Sequence, residues 1–230
     1  MVVLDAFFLS HTYEPVDVPS QEEADRFLPP YEARFELDTK NPCSFGPLVP
    51  PAVYMEMRHD MAAAMDIALT NFARIEDEYA QVFGRRYGAV EAIRCDDAEI
   101  VFVTTGTITS TARLVLENLR GRGEKLGILK IKLFRPFPVD EIRRALEGPK
   151  KIAVIDRNFS FGASGIFAQE VRAALCNAQT QAPVFGYIVG IGGRDVTPEI
   201  LEEIYWKTKN NALPERESVW IGLQEVSHGS

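Results

Sequence analysis

Residues 99–113 read EIVFVTTGTITSTAR. An apolar run ends at Thr104 among threonine and serine hydroxyls, turns at Gly106, and leads into the face Ala112, Val115, Leu116, Leu119. That spacing, i, i+3, i+4, i+7, is one side of a helix. The stretch is a strand, a tight turn and a helix. The same grammar repeats downstream. LGILKIKL (126–133) and KIAVID (151–156) are strand-like, as is the segment 184–190. Helical faces follow each of them: Val139, Ile142 and Leu146; then Phe167, Val171 and Ala174; then a helix over 197–206 that opens with TPE, proline at its first position. Strands are expected near 99–104, 126–133, 151–156 and 184–190, and helices near 109–120, 138–147, 163–176 and 197–206. Strands that are apolar throughout and alternate with helices form a mainly parallel sheet covered by helices on both faces. VWIG (219–222) is a candidate edge strand.

Upstream the grammar differs. MVVLDAFFL opens the chain as an expected strand, and eight of the 14 prolines then fall before residue 52. Proline fixes φ and donates no hydrogen bond, so this region is expected to be an extended arm. Its aromatics, Phe7, Phe8, Tyr13, Phe27, Tyr31, Phe35 and Phe45, are expected to lie on other surfaces of this chain or of a partner. From about 53 to 83, Met57, Met61, Ala64, Ala68, Phe72, Ile75, Tyr79 and Val82 form one stripe of a long core-packing helix that stops at Gly84. Three parts result: an arm over 1–50, a helix and connector over 51–95, and an α/β domain over 96–230.

Composition excludes several functions. The net charge of −8, from 33 acidic against 25 basic residues, repels phosphate backbones, so no nucleic-acid partner is expected. No apolar run reaches membrane-spanning length. The opening residues lack the basic segment of a signal peptide, so a cytoplasmic protein is expected. Three scattered cysteines, Cys43, Cys95 and Cys176, include no CxxC pair and encode neither a zinc site nor a cluster.

Ligands of open α/β sheets gather beyond the carboxyl ends of strands. One such place holds Thr105, Gly106, Thr107 and Thr109. It reads either as a turn in which Thr107 or Thr109 caps the helix, or as a contact for an anion at the helix start. It lacks the GxGxxG and GxxxxGK[ST] fingerprints. A second place, DRNFSFGASG (156–165), offers Arg157, Ser160 and Gly162, with Asp156 and Arg157 expected to form an ion pair with each other or a neighbour. GIGGRD (190–195) is a third turn.

Several motifs in series carry a resemblance: VTTGTITSTARLVLENLR, KIKLFRPFPVDEI, IAVIDRNFSFGASG and FGYIVGIGGRDVTPE, with the arm LDAFFLSHTYEPVDVP and the helix YMEMRHDMAAAMDIAL. Together they resemble the alpha subunit of 2-oxoacid:ferredoxin oxidoreductases, pyruvate synthase above all. The α/β part is similar to the C-terminal domain of transketolases. The resemblance implies an assembly in which thiamine diphosphate, with Mg²⁺, decarboxylates a 2-oxo acid. Iron–sulfur clusters pass electrons to ferredoxin, and coenzyme A takes the acyl group. It also implies that the pyrimidine-binding domain is absent except for its last strand. The expected role is therefore a non-catalytic, oligomeric part of such an alpha subunit. It would bind no cofactor alone and would work with a pyrimidine-binding portion and with beta and gamma type subunits. The alternative is a stand-alone binding or scaffold module without redox activity.

Overall fold

The computed structural model describes residues 1–6, 8–46, 48–180 and 182–224. Phe7 and Pro47, and the side chain of Phe8, lie outside the described residues, and with them the surfaces expected for the rings of Phe7 and Phe8. The chain divides into two compact units, Pro15–Gly88 and a second formed by Met1–Glu14 with Ala89–Ser230.

In the smaller unit, α1 does not appear; its first helix, α2 (Gln21–Phe27), follows the four-residue α1 (Phe8–His11) of the other unit. Ser20 caps α2: its hydroxyl accepts the Glu23 N–H, and the Glu23 carboxylate accepts the Ser20 N–H at 2.9 Å. This reciprocal box satisfies donors at both ends of the first turn. Phe27 then meets Tyr79 and Phe83 edge-on, at 5.3 and 5.5 Å between ring centres. Those rings belong to α3 (Pro51–Phe83), which has proline at its start and ends on Gly84 in the left-handed region at φ 66°. At 33 residues it is about 50 Å long. The Glu76 carboxylate, the single buried residue of α3, accepts the N–H groups of Tyr87 (2.9 Å) and Gly88 (2.7 Å).

Two expectations for this region are corrected. The apolar stripe of α3 does not pack into a core: Met57, Met61, Ala64, Ala68 and Ile75 are exposed, as are Met55, Met65 and Ile67 beside it, because α2 is short and covers the C-terminal end of the helix alone. The arm is not extended throughout, because Gln21–Phe27 forms α2; Phe27 packs on α3, and Tyr13, Tyr31, Phe35 and Phe45 are exposed on this chain.

The larger unit holds a six-stranded sheet. Its strands are β1 (Val90–Ile93), β2 (Ile100–Thr104), β3 (Leu126–Ile131), β4 (Lys151–Asp156), β5 (Val184–Ile188) and β6 (Val219–Trp220), in the order β1-β3-β2-β4-β5-β6. All neighbours are parallel except β1, which runs antiparallel to β3. The connecting helices are α4 (Ile108–Gly121), α5 (Val139–Ala145), α6 (Ile166–Leu175) and α7 (Pro198–Asn210). Successive residues of β2 face opposite ways. Ile100 and Phe102 join α4 and α7 in one core, while Val101 and Val103 join α5 and α6 in the other. Two buried layers explain why these strands are apolar at every position. The four parallel strands and their helices lie where the sequence spacing puts them, within a few residues, and β6 is the expected edge strand. One expectation fails: residues 1–6 are not a strand. A strand needs a neighbour to complete its ladder, and no strand of the sheet pairs with them.

Candidate functional site

The chain runs from β2 outward to β3, then crosses back to β4 on the other side of β2. The strand order therefore reverses between β2 and β4, and a crevice opens beyond their carboxyl ends, the location at which doubly wound sheets bind ligands. Thr104 and Asp156 end those two strands.

On the β2 side the loop is tied down by its hydroxyls. Thr104 Oγ1 and Thr109 Oγ1 are 2.9 Å apart and buried, and the Thr105 hydroxyl donates to the Ile131 carbonyl at 3.1 Å. Gly106 turns the chain at φ 61°. Thr107 occupies the cap position of α4, but in right-handed helical conformation and without a side-chain cap bond. Neither of the expected hydroxyl caps forms: Thr109 lies within the helix and bonds to Thr104, and Thr107 carries the cap position with its backbone alone. A carboxylate does meet the helix start, and it comes from this chain. The Thr107 N–H donates to Asp5 Oδ2 at 2.5 Å.

On the β4 side, Asp156 and Arg157 do not pair with each other, because adjacent residues at a strand end project in opposite directions. Asp156, wholly buried, turns to α6 and accepts the N–H groups of Phe167 and Ala168, both at 3.0 Å. Asn158 Oδ1 accepts the Ile166 N–H at 2.8 Å. Together they supply the anionic and neutral acceptors that the first turn of α6 lacks within itself. Burial pushes the Asp156 carboxyl above the usual carboxylate range, against the downward pull of the two amides, the Asn158 side chain and Arg172. Gly165 is required there, since a Cβ would collide with the Asp156 carboxylate. Arg157 points instead to the crevice, with Nη1 3.5 Å from Thr107 Oγ1. Ser160 and Gly162 are not in the crevice grouping. The Ser160 N–H donates to the Ser164 carbonyl at 3.0 Å, and Gly162 (φ 83°) follows Phe161, which is 92% exposed. The third turn contributes Gly190, where a Cβ would stand 3.2 Å from Arg157 Nε.

The crevice thus gathers Thr107, Arg157 and Asp5, with Gly106 and Gly190 making room; the roles of Asp5, Asp156, Asn158 and Gly165 are additions from the structure. Asp5 carries no local signal in sequence, whereas a strand ending in Asp ahead of a small-residue helix start does. A separate cavity of about 630 Å³ lies away from the crevice, lined by Val90, Ala92, Cys95, Glu141, Arg144 and Gly148 among others. Burial raises the Cys95 thiol there, which leaves it protonated and a poor nucleophile.

Three kinds of comparison bear on the chain. Residues 1–77 match the profile of the pyruvate flavodoxin/ferredoxin oxidoreductase thiamine diphosphate-binding domain, and residues 98–201 match pyruvate:ferredoxin oxidoreductase core domain II. Among curated relatives, the chain is 44% identical over 227 residues to pyruvate synthase subunit PorA of Methanothermobacter thermautotrophicus, which covers 99% of the chain and 57% of that protein. It is 40% identical over 229 residues to ketoisovalerate oxidoreductase subunit VorA of Pyrococcus abyssi, covering 97% and 58%. The chain therefore spans less than two thirds of the length of these relatives. Among solved structures, a 2-oxoglutarate:ferredoxin oxidoreductase from Magnetococcus marinus aligns at TM-score 0.43 and 18% identity over 70% of this chain and 24% of that one.

Proposed function

This chain belongs to the pyruvate:ferredoxin oxidoreductase family, and from that premise we propose that it is a structural and assembly part of the alpha subunit of a 2-oxoacid:ferredoxin oxidoreductase. In the assembled enzyme pyruvate is oxidised to acetyl-CoA and ferredoxin is reduced. Its partners are a polypeptide portion carrying the rest of the pyrimidine-binding domain and beta and gamma type subunits, in the cytoplasm. Among the described residues, no helix is long and apolar enough to cross a membrane.

The observation that carries this reading is the face of α3. Met57, Met61 and Met65 follow one another at four-residue steps along the helix and stand exposed, within the stretch that matches the thiamine diphosphate-binding profile. A soluble chain does not leave such a row uncovered without a use for it, and methionine adapts to the shape of an incoming surface.

Thiamine diphosphate does not fit the residues present. Its diphosphate needs a divalent cation and anion-receiving amides. Among the described residues no three metal-ligating side chains converge, and the helix starts beyond β2 and β4 each already hold a carboxylate, Asp5 at α4 and Asp156 at α6, which repels a diphosphate. The family's chemistry is accordingly assigned to the assembly, with this chain contributing surfaces. Pyruvate is preferred as substrate from the PorA relatives, although a VorA relative stands within four percentage points of identity, 40% against 44%.

The test is co-expression with the complementary subunits, scored by copurification and by pyruvate-dependent dye reduction. The wild-type chain is expected to copurify and to be required for reduction. Met61→Glu with Met65→Glu is expected to change the chain's own stability by less than about 0.5 kcal/mol, as an exposed substitution, and to abolish copurification. Turnover or micromolar thiamine diphosphate binding by the chain alone refutes the proposal. Failure of the wild-type chain to copurify favours a stand-alone scaffold module.

A further inference from the structure

We propose that the outer edge of β1, with the groove between it and α5, is a docking site for an extended segment of another polypeptide that carries lysine or arginine at every second position. The inference does not rest on the family assignment, and it concerns a margin of the sheet away from the β2–β4 crevice.

β1 (Val90–Ile93) closes one end of the sheet and pairs with β3 alone. Just ahead of it, the Ala89 carbonyl accepts the N–H groups of Lys132 and Leu133 at 3.0 and 2.9 Å, so Ala89 turns its main-chain groups toward β3. Hydrogen-bonded and open positions alternate along an antiparallel strand. The main-chain groups of Val90 and Ala92 therefore point outward, and among the described residues neither makes a backbone bond outside the β1–β3 ladder. Open edges are commonly blunted by proline or lysine. VEAI contains neither, and Ala92 is exposed with only a methyl on its Cα. Donors and acceptors two residues apart on an open edge fit one class of ligand, a second extended main chain. Arg94, at φ 54°, ends the strand, so the added ladder is short and side chains must supply the selectivity.

The groove states what those side chains are. Val90 packs into the layer of α5 and α6, and Ile93 into the layer of α4 and α7. Val90 and Ala92 share a face, and they line the cavity of about 630 Å³ on the α5 side, a size in the range of ligand clefts. The same cavity is lined by Asp96, Glu141 and Glu147 against Arg144. Among the described residues no ion pair engages any of these four. The neighbouring Arg143 is turned away, its Nε donating to the Ala174 carbonyl at 2.7 Å. Three carboxylates against one guanidinium, in a chain of net charge −8, select a basic occupant. On the opposite face of β1 the charges are already matched, because Glu91 is held by Arg113 and by Lys132 at 2.9 Å. An added strand turns alternate side chains to the two faces. Its cations therefore fall at every second position, toward the groove, with uncharged residues between them.

The test titrates the full chain into a fluorescent, end-capped peptide, Thr-Lys-Val-Lys-Thr-Lys-Val-Lys, followed by anisotropy. Saturable binding is expected, weakening as salt is added. Glu141→Gln with Glu147→Gln is expected to weaken it about tenfold, the loss of charge-assisted contacts. Ala92→Pro removes one outward N–H at an edge position where proline is tolerated, and is expected to weaken binding by about the same factor. Because that variant alters the strand itself, a peptide N-methylated at alternate residues makes the same cut from the other side and is expected to bind at least about tenfold more weakly. The peptide with glutamate in place of every lysine is expected not to bind. Absence of saturable binding up to about 1 mM overturns the proposal. So does wild-type affinity in the Glu141→Gln, Glu147→Gln chain, which shows that the groove acids select nothing. Equal affinity for the N-methylated peptide also overturns it, since the contact is then charge alone and no strand is added.

Discussion

Gly165→Ala is expected to destabilise the larger unit strongly, and to do so through one neighbour. The backbone at Gly165, φ −59° and ψ 138°, is one that alanine adopts freely. Taken by itself, the substitution restricts the unfolded chain and stabilises by about 0.4–1 kcal/mol. The added methyl, however, lands on the Asp156 carboxylate, within 2.5 Å of Cγ and 2.8 Å of Cβ. Asp156 is wholly buried and holds two amide donors of α6 at 3.0 Å, so it has no room to yield without breaking both bonds. Hydrogen bonds to a charged group contribute about 1.5–3 kcal/mol each. Allowing for partial re-formation and for the gain from alanine, the net cost is about 2–4 kcal/mol. In a chain of this size that lowers Tm by roughly 6–12 °C. The assay is urea unfolding of wild type, Gly165→Ala, Asp156→Ala and the double variant. In the Asp156→Ala background the carboxylate is gone and the remaining contact is Cβ to Cβ at 2.8 Å, so Gly165→Ala is expected to cost clearly less than in wild type. Equal cost of Gly165→Ala in both backgrounds refutes the argument, because a double-mutant cycle then shows no coupling between the two sites.

Two further outcomes follow from the site and the core. Thr107→Ala is expected to shift stability by no more than about 0.5 kcal/mol, rather than the ~1 kcal/mol of a lost cap, because its hydroxyl makes no cap bond; urea unfolding checks it. Stability is also expected to fall above pH about 10, the value of an unfolded tyrosine. Burial, and then the Glu124 carboxylate bonded to its hydroxyl at 2.5 Å, raise Tyr205 well above that value, and burial raises Tyr187 as well. A folded value above the unfolded one gives stability that is complete below pH 10 and is lost as pH rises further. Tyr205→Phe should flatten that decline in thermal scans from pH 8 to 11.

The α/β core was legible because its code is local. Each parallel strand is an apolar run, each helix a stripe at 3.6 spacing, and Thr197-Pro198 marks the start of α7 as it reads. β1 was missed since VEAI is short, carries a charge, and becomes a strand through its antiparallel partner Ile128–Ile131. The helix α2 was legible in principle: Ser20-Gln-Glu-Glu23 is the capping-box pattern, hidden amid prolines that suggested an arm throughout. The stripe on α3 gave the helix correctly but not its exposure, because periodicity says that a face is apolar and not what covers it. The crevice was located by its glycine and hydroxyls, yet its occupant was unreadable. Asp5 and Thr107 are joined by tertiary placement over 102 positions, and no spacing rule connects them.

The two margins of the sheet bear on how this chain behaves when it is overproduced. One margin is β6, two residues long; the other is β1, where Glu91 is engaged by Arg113 and by Lys132 at 2.9 Å. A fibril grows by laying strand on strand along an open row of amides and carbonyls, and neither margin offers a long uncharged one. The sticky surface of this chain is instead a helix with its backbone already satisfied internally. Clumping at high concentration is thereby steered to amorphous, side-chain-mediated aggregates, which a charged detergent or a covering partner can dissolve, and away from ordered cross-β deposits.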